Sequence, residues 1–367
     1  MQEVIQQFKE QIQSAISAQN KIKICGGNSK HWYGDAATGE VLNTSAYQGI
    51  VDYQPEELVI TVCAGTPLKE VESALAARNQ YFPFEPPHFG DGATIGGMVA
   101  AGLAGPGRGQ YGSLRDYILG TKVMDGRGQV LSFGGKVMKN VAGYDVSRLM
   151  PGSLGTLALL LEVSIKVLPR PAKTQTLKFH IPASEAIVQM NTWASKPLPL
   201  SASTWVGDAS GGNLWIRLAG ANAAVDDAAR MMQEEFSGHA VDLLEANQFW
   251  ESIREQTHPF FLSSSGPLWR FSVAPLSEVF ASQYPSLIEW YGGQRWIKAP
   301  LTHAQAQELA SNHQGSATLF RHQMPSARSV FTPMSSNPLT APLEKVQQRV
   351  RYAFDPHGIF QTGRMPL

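Results

Sequence analysis

Nine glycines fall between Gly90 and Gly112, inside a longer stretch that runs from Pro86 to Pro171. Glycine takes φ > 0 and lets main chain approach a ligand with no side chain in the way. The stretch opens with Pro86-Pro87-His88-Phe89-Gly90-Asp91-Gly92-Ala93-Thr94-Ile95-Gly96-Gly97 and continues through Arg108-Gly109-Gln110-Tyr111-Gly112. A diphosphate calls for several N–H donors and little bulk, and a flat conjugated ring calls for an apolar wall with a few amides at its polar edge. A second pair, Gly26-Gly27, follows the alternating Lys21-Ile22-Lys23-Ile24-Cys25 and leads into Asn28-Ser29-Lys30. A strand running at once into Gly-Gly-Asn-Ser makes either a tight turn or a diphosphate nest, with Ser29 and Lys30 adding donors. Both glycine-rich segments could equally be surface loops, so the elements around them decide.

Those elements read as a packed α/β frame. Val4, Ile5, Phe8, Ile12, Ala15 and Ile16 recur at helical spacing over residues 2–18. Residues 45–53 and 57–63 read as strands, and Thr66-Pro67 starts a helix with Thr66 as N-cap and Pro67 at N1. Thr94 is expected to cap a helix that carries Met98 to Leu103. Asp125-Gly126 between two apolar runs, residues 118–124 and 129–133, signals a hairpin. Residues 146–150 read as a short helix and 157–167 as a long apolar strand. Pro169-Arg170-Pro171 marks a boundary, after which glycines thin out. Strands are expected at 176–181, 203–206, 213–218, 268–273, 290–291 and 295–298, and helices at 184–193, 223–236, 249–254 and 304–311. That alternation suits an α+β domain. Residues 325–342 read as a crossing segment and 343–354 as a helix.

Composition narrows the chemistry further. Lys plus Arg is 30 and Asp plus Glu is 30, so no charge excess points to nucleic acid or an anionic membrane surface. The two cysteines, Cys25 and Cys63, form no Cys-x-x-Cys pair, which encodes neither an iron–sulfur cluster nor a zinc site and suits a reducing cytoplasm. The N-terminal residues lack a signal-peptide pattern, and no apolar run reaches transmembrane length. Gly105, Gly107 and Gly109 miss the Gly-x-Gly-x-x-Gly spacing of a nicotinamide fold, and neither a phosphate-binding Gly-Lys-Ser/Thr loop nor His-Glu-x-x-His occurs. No metal site is expected. The nine histidines, His31, His88, His180, His239, His258, His303, His313, His322 and His357, are scattered.

The order Thr94-Ile95-Gly96-Gly97, Tyr111-Gly112, Arg115-Asp116-Tyr117-Ile118, Asp125-Gly126, Gly143-Tyr144-Asp145 and Gly152-Ser153-Leu154-Gly155-Thr156-Leu157 resembles the FAD-binding domain of the vanillyl-alcohol-oxidase, or PCMH, type. Within that type it is similar to the second FAD-binding subunits of bacterial glycolate oxidase complexes. The resemblance implies an α+β fold: a two-lobed PCMH-type FAD-binding domain at 1–171, an α+β cap at 172–330, and a C-terminal segment at 331–367 that returns to the FAD domain. It implies noncovalent FAD held by Gly26, Gly27, Asn28, Ser29, Lys30, Thr94, Ile95, Gly96, Gly97, Arg108, Gly109, Tyr111, Gly112, Asp116, Gly155, Thr156, Leu160 and Arg364. Lys139, Tyr144 and Asp145 would be structural supports near the flavin. Cys25 stands where many relatives have a basic residue, and Gln361-Thr362 where they often have Asn-Pro.

Relatives that oxidise 2-hydroxy acids carry a late histidine- and glycine-rich motif that this chain lacks. Arg321-His322, at the end of an expected strand Thr318-Leu319-Phe320, is the remaining candidate for carboxylate anchor and base. The resemblance therefore implies a cytoplasmic subunit of a glycolate oxidase (glycolate dehydrogenase) complex, at the inner face of the membrane only if a partner carries it there. A catalytic FAD-binding glycolate oxidase subunit would act on the small 2-hydroxy acid, and an iron–sulfur subunit would take the electrons. Two other readings stay open: a self-sufficient 2-hydroxy-acid dehydrogenase acting on glycolate or D-lactate, and a scaffold with a vestigial flavin site.

Overall fold

The computed structural model describes residues 1–135, 145–263, 266–321 and 341–365. It divides into two compact units. Met1–Leu103, Ser113–Pro169 and Pro338–Leu367 form the first, and Ala104–Gly112 with Arg170–Asn337 form the second. Against bounds of 1–171, 172–330 and 331–367, the main difference is Ala104–Gly112, which leaves the first unit and joins the second. Gly102 and Gly112 sit at φ 62° and 88° near the two crossings, a left-handed conformation that glycine takes without strain.

In the first unit, α1 (Gln2–Ala18) buries Phe8, Ile12 and Ala15, one stripe at helical spacing. β1 (Ile22–Cys25) pairs in parallel with β2 (Glu40–Asn43). β3 (Ile50–Gln54), β4 (Val59–Cys63), α2 (Leu68–Ala76) and the short β5 (Gln80–Tyr81) follow, then α3 (Ile95–Ala101). α4 (Arg108–Tyr111) belongs to the second unit, and the chain returns with α5 (Leu114–Tyr117), β6 (Ile118–Met124), β7 (Val130–Gly134), β8 (Leu159–Lys166) and β9 (Leu168–Pro169). A five-stranded sheet runs β3-β4-β8-β6-β7, and its pairs are antiparallel. β4 is buried at every position, as a central strand covered on both faces must be. At the β6–β7 turn the Asp125 carboxylate accepts from the amides of Arg127 and Gln129, which is the chemistry behind the Asp-Gly signal.

Two local expectations are corrected here. Residues 45–49 turn rather than extend: Tyr47 N–H donates to the Thr44 carbonyl and Ser45 N–H to Asn43 Oδ1, so the strand shortens to Ile50–Gln54. Thr66 does not cap α2. Its hydroxyl donates to the Cys63 carbonyl and accepts from Gly49 N–H, and Pro67 takes the capping position.

The C-terminal segment packs on this unit. Phe354, closing the helix Ala341–Phe354, accepts from Gly126 N–H, and the buried Asp355 accepts from the amides of Ile359 and Phe360. Gly126 must be glycine there, since a Cβ would fall 2.4 Å from Asp355 Oδ1.

In the second unit, β10 (Lys173–His180), α6 (Ala183–Ala194), β11 (Leu200–Asp208), β12 (Gly211–Gly220), α7 (Asn222–Glu235), β13 (Gly238–Val241), α8 (Leu243–Arg254), α9 (Pro259–Leu262), β14 (Leu268–Ser272), β15 (Ser286–Glu289), β16 (Gln294–Lys298), α10 (His303–Asn312) and β17 (Ser316–Arg321) follow in order. Eight strands form one antiparallel sheet, β13-β10-β12-β11-β15-β16-β14-β17. α6 and α7 bury Trp193, Val225 and Met232 against Phe179, Trp205 and Leu214 of the sheet. Trp290-Tyr291, expected as a strand, is instead a turn with φ 53° and 59°. The turn is held by Asn191 Nδ2, which donates to the Tyr291 carbonyl at 2.7 Å, and by Trp290 Nε1, which donates to the Gly105 carbonyl at 3.1 Å.

Candidate functional site

The loop after β1 opens into a cleft of the first unit with about 550 Å³ of empty space, part of it continuous with solvent. Gly26, Gly27, Asn28, Ser29, Lys30, Thr94, Gly97 and Arg364 line it, together with Cys25, His31, Tyr33, Ala100, Ala101 and Leu154. Among the described residues, the main-chain N–H groups of Gly26, Gly27, Asn28 and Ser29 donate to no other group. Asn28 sits at φ 60°, a conformation its short polar side chain tolerates, and this helps turn successive amides the same way. The result is a concave row of donors suited to an anion.

The glycine-rich stretch forms the facing wall. Thr94 Oγ1 caps α3 by accepting from Gly97 N–H at 3.2 Å. A Cβ on Gly26 would meet that Oγ1 at 2.6 Å, and one on Gly27 would overlap the Gly92 carbonyl oxygen at 1.3 Å. The two glycine segments thus touch main chain to main chain. Gly97 is different: the one atom near its missing Cβ is Thr94 Oγ1 at 3.2 Å, and the rest of that space belongs to the cleft.

Two cations brace the loop. Lys30 is buried at 8% exposure, and its ammonium donates to the His88 carbonyl at 3.0 Å, tying the loop to the start of the glycine-rich stretch. Arg364 reaches in from the C-terminal tail. Its Nη2 lies 2.8, 3.0 and 2.9 Å from the carbonyls of Lys30, His31 and Tyr33, while Asp35 N–H donates back to the Arg364 carbonyl. Burial pulls the guanidinium below the usual arginine range, with the Cys25 sulfur opposing that pull.

The remaining expected residues lie elsewhere. Ile95 and Gly96 donate their amides to the carbonyls of Thr66 and Ala64, and Ile95 is fully buried. Asp116 accepts from the amide and hydroxyl of Ser113 in the capping box of α5. Thr156 is buried with its hydroxyl on the Ser153 carbonyl, and Leu160 is buried in β8. Gly155, at φ 74°, stands beside Ile24, and its neighbour Leu154 enters the cleft. Arg108, Gly109, Tyr111 and Gly112 fall in the second unit. There too is Arg321, whose guanidinium burial lowers to about 10. His322 lies outside the described residues, as do Lys139 and Tyr144, while Asp145 pairs with Arg148 at 2.9 Å. Sequence reasoning missed Ile24, His31, Tyr33, Ala100, Ala101 and Leu154. Leu154 alone carries a trace, as a Leu at φ 52° inside a Gly-Ser-Leu-Gly turn.

No group of three His, Cys, Asp or Glu among the described residues is arranged to hold a metal, and no helix among them is long and apolar enough to cross a membrane. Residues 3–134 match the family described as an FAD binding domain, so the class is that of an FAD-binding α+β flavoprotein. Across 363 residues, 98% of this chain and 97% of the other, the chain is 44% identical to glycolate oxidase subunit GlcE of Escherichia coli (strain K12). The chain belongs to the family of that glycolate oxidase subunit. Glycolate oxidase subunit GlcD of Bacillus subtilis (strain 168) is 32% identical over 154 residues, 42% of this chain and 32% of that one. In fold the chain is similar to alkyldihydroxyacetonephosphate synthase, with a TM-score of 0.66 at 13% identity over 96% of this chain and 74% of that one.

The cleft fits FAD on its own chemistry. It offers a row of unengaged amides, one glycine that leaves room for close approach, and two cations at its margin.

Proposed function

We propose that the chain is an FAD-binding subunit of a complex that oxidises glycolate to glyoxylate and passes electrons to an iron–sulfur subunit. The observation that carries this is the nest at Gly26–Ser29, with its amides unengaged among the described residues, in a chain that matches a glycolate oxidase subunit along 98% of its length. When bound, FAD supplies the capacity to accept and return electrons. The nest amides would hold the diphosphate, Gly97 and Ala100 would leave room for the cofactor along α3, and Arg364 would steady the loop that carries the nest through the carbonyls of Lys30, His31 and Tyr33. In this proposal the FAD is held without a covalent bond.

A sister subunit as the main site of substrate oxidation accords with the histidines. Among the described residues His258 caps α9, His303 lies by Trp269, His313 by Phe280, and His88 faces Glu72 at 2.9 Å. Each is engaged in structure, and the ring of His31, which lines the cleft, has its Nδ1 3.0 Å from the Asn28 carbonyl while its own carbonyl accepts from Arg364. In this proposal the complex works in the cytoplasm, at the inner face of the membrane only where a partner carries it there.

The test is purification from the native host and from an expression host. The chain from either source should take up FAD and turn yellow, and the native preparation should bring down a second flavoprotein and an iron–sulfur protein. The complex should reduce an artificial acceptor with glycolate while the isolated chain does not. A colourless chain that refuses added FAD sinks the flavin reading. Full glycolate or D-lactate turnover by the isolated chain would replace it with a self-sufficient dehydrogenase.

A further inference from the structure

The nest at Gly26–Ser29 is held through carbonyls at both of its ends, and both holds lie within the first unit. At its start, the Cys25 carbonyl accepts from Thr44 N–H at 2.9 Å and from Thr44 Oγ1 at 3.3 Å. Three residues on, the Asn28 carbonyl accepts from His31 N–H at 3.3 Å, and His31 Nδ1 lies 3.0 Å from the same oxygen. In a planar trans peptide the C=O and the N–H that follows it point opposite ways. A hold on the Cys25 carbonyl therefore sets the direction of Gly26 N–H, and a hold on the Asn28 carbonyl sets that of Ser29 N–H. These are the first and last amides of the nest, and among the described residues neither donates to another group.

The two holds differ in kind. Thr44 is buried, and its main-chain amide keeps a bond to Cys25 whatever its side chain. His31 is exposed and lines the cleft. A carbonyl only accepts, so the ring contact requires the proton on Nδ1 and leaves Nε2 of the neutral ring bare. Asn28 sits at φ 60°, and the ring bond on its carbonyl helps keep that left-handed turn in place. We propose that His31 is a positioning residue for the nest: its Nδ1–H fixes the Asn28–Ser29 peptide and so aims the Ser29 amide, while the Thr44 hydroxyl does a smaller share at Gly26. The ligand class is a diphosphate, and FAD as its bearer rests on the FAD reading above.

The experiment titrates FAD, ADP and inorganic pyrophosphate into wild type, His31→Leu, His31→Asn, His31→Gln, Thr44→Val and Thr44→Ser, with a thermal melt of each apo-protein. Asparagine carries its side-chain N–H near the place of Nδ1, and glutamine near that of Nε2, at similar polarity. His31→Leu should weaken all three ligands about fivefold, because the part lost serves the diphosphate they share. His31→Asn should return to within about twofold of wild type and His31→Gln should resemble His31→Leu, while the melting temperatures stay together. Thr44→Val should cost about twofold, recovered in Thr44→Ser. Wild-type affinity in His31→Leu overturns the role of His31, and wild-type affinity in Thr44→Val overturns the share of Thr44. Equal affinities for His31→Asn and His31→Gln overturn the assignment to Nδ1. A loss confined to FAD, with ADP and pyrophosphate unmoved, takes His31 away from the nest and overturns the proposal too. If His31→Leu does not fold, the Asn and Gln variants carry the same comparison. A wild type that binds pyrophosphate but not FAD defeats the FAD reading, while the pyrophosphate series still decides how the nest is aimed. A wild type that binds none of the three overturns both.

Discussion

Gly26-Gly27 and Gly107-Arg108-Gly109 look alike as letters, two glycine-rich segments each with a basic residue nearby, yet they answer to different neighbours. Gly27 lies against the Gly92 carbonyl in the first unit, and its loop leaves four amides unengaged among the described residues. Gly109 lies against Trp290 in the second unit, where Arg108 stacks on the indole. The first segment is bare because main chain must meet main chain while its donors stay open. The second is bare because an aromatic residue sits on it. A glycine reports close approach; what approaches must be learned from the other partner.

The sharpest way to break that contrast is Gly27→Val. Its Cβ would fall inside the Gly92 carbonyl, so the two loops must part. The expected outcome is loss of FAD uptake together with a stability loss of about 3 kcal/mol, read by the flavin spectrum and by urea unfolding. Normal FAD binding by a folded Gly27→Val protein would mean that the contact between the loops is dispensable to the nest. Arg364→Ala comes next. It leaves three carbonyls of the nest loop without their guanidinium, a change worth about 1–3 kcal/mol. FAD affinity should fall about tenfold or more, with the first unit still folded, as titration and circular dichroism would show. An unchanged affinity would reduce Arg364 to a tail anchor.

Much of the frame could be read from the chain because its signals are local. Thr94 ahead of an apolar helix, Asp125-Gly126 between apolar runs, and the stripe Phe8, Ile12, Ala15 each carry their reason within a few residues. What escaped depends on partners distant in sequence. Trp290-Tyr291 has strand-like letters, and its turn is held by Asn191 on the Tyr291 carbonyl and by the Gly105 carbonyl on the Trp290 indole. β2 carries only one buried side chain, Leu42, so its pattern was too weak to register. Arg364 could be placed near the cofactor from its tail motif, but its carbonyl partners lie over 300 residues earlier. The amides of Ile95 and Gly96 looked available for a ligand, and the loop before α2 had already taken them.

That last point yields the smallest and most discriminating prediction, because two adjacent glycines of α3 should respond oppositely. In Gly96→Ala the new methyl meets Ala64 Cβ and the Ala64 carbonyl oxygen, each at 2.9 Å, on the side away from the cleft. It should destabilise the first unit by about 1 kcal/mol and leave FAD affinity nearly as it was. In Gly97→Ala the methyl meets only Thr94 Oγ1 at 3.2 Å and otherwise stands in the cleft. Alanine gains about 0.5–1 kcal/mol over glycine in a helix, and crowding of the Thr94 cap offsets part of that. The unfolding midpoint should therefore barely move while FAD affinity drops severalfold. The comparison needs only thermal melts of both apo-proteins and FAD titrations of both. Reversed roles, with Gly96→Ala losing cofactor and Gly97→Ala losing stability, would put the flavin on the opposite face of α3.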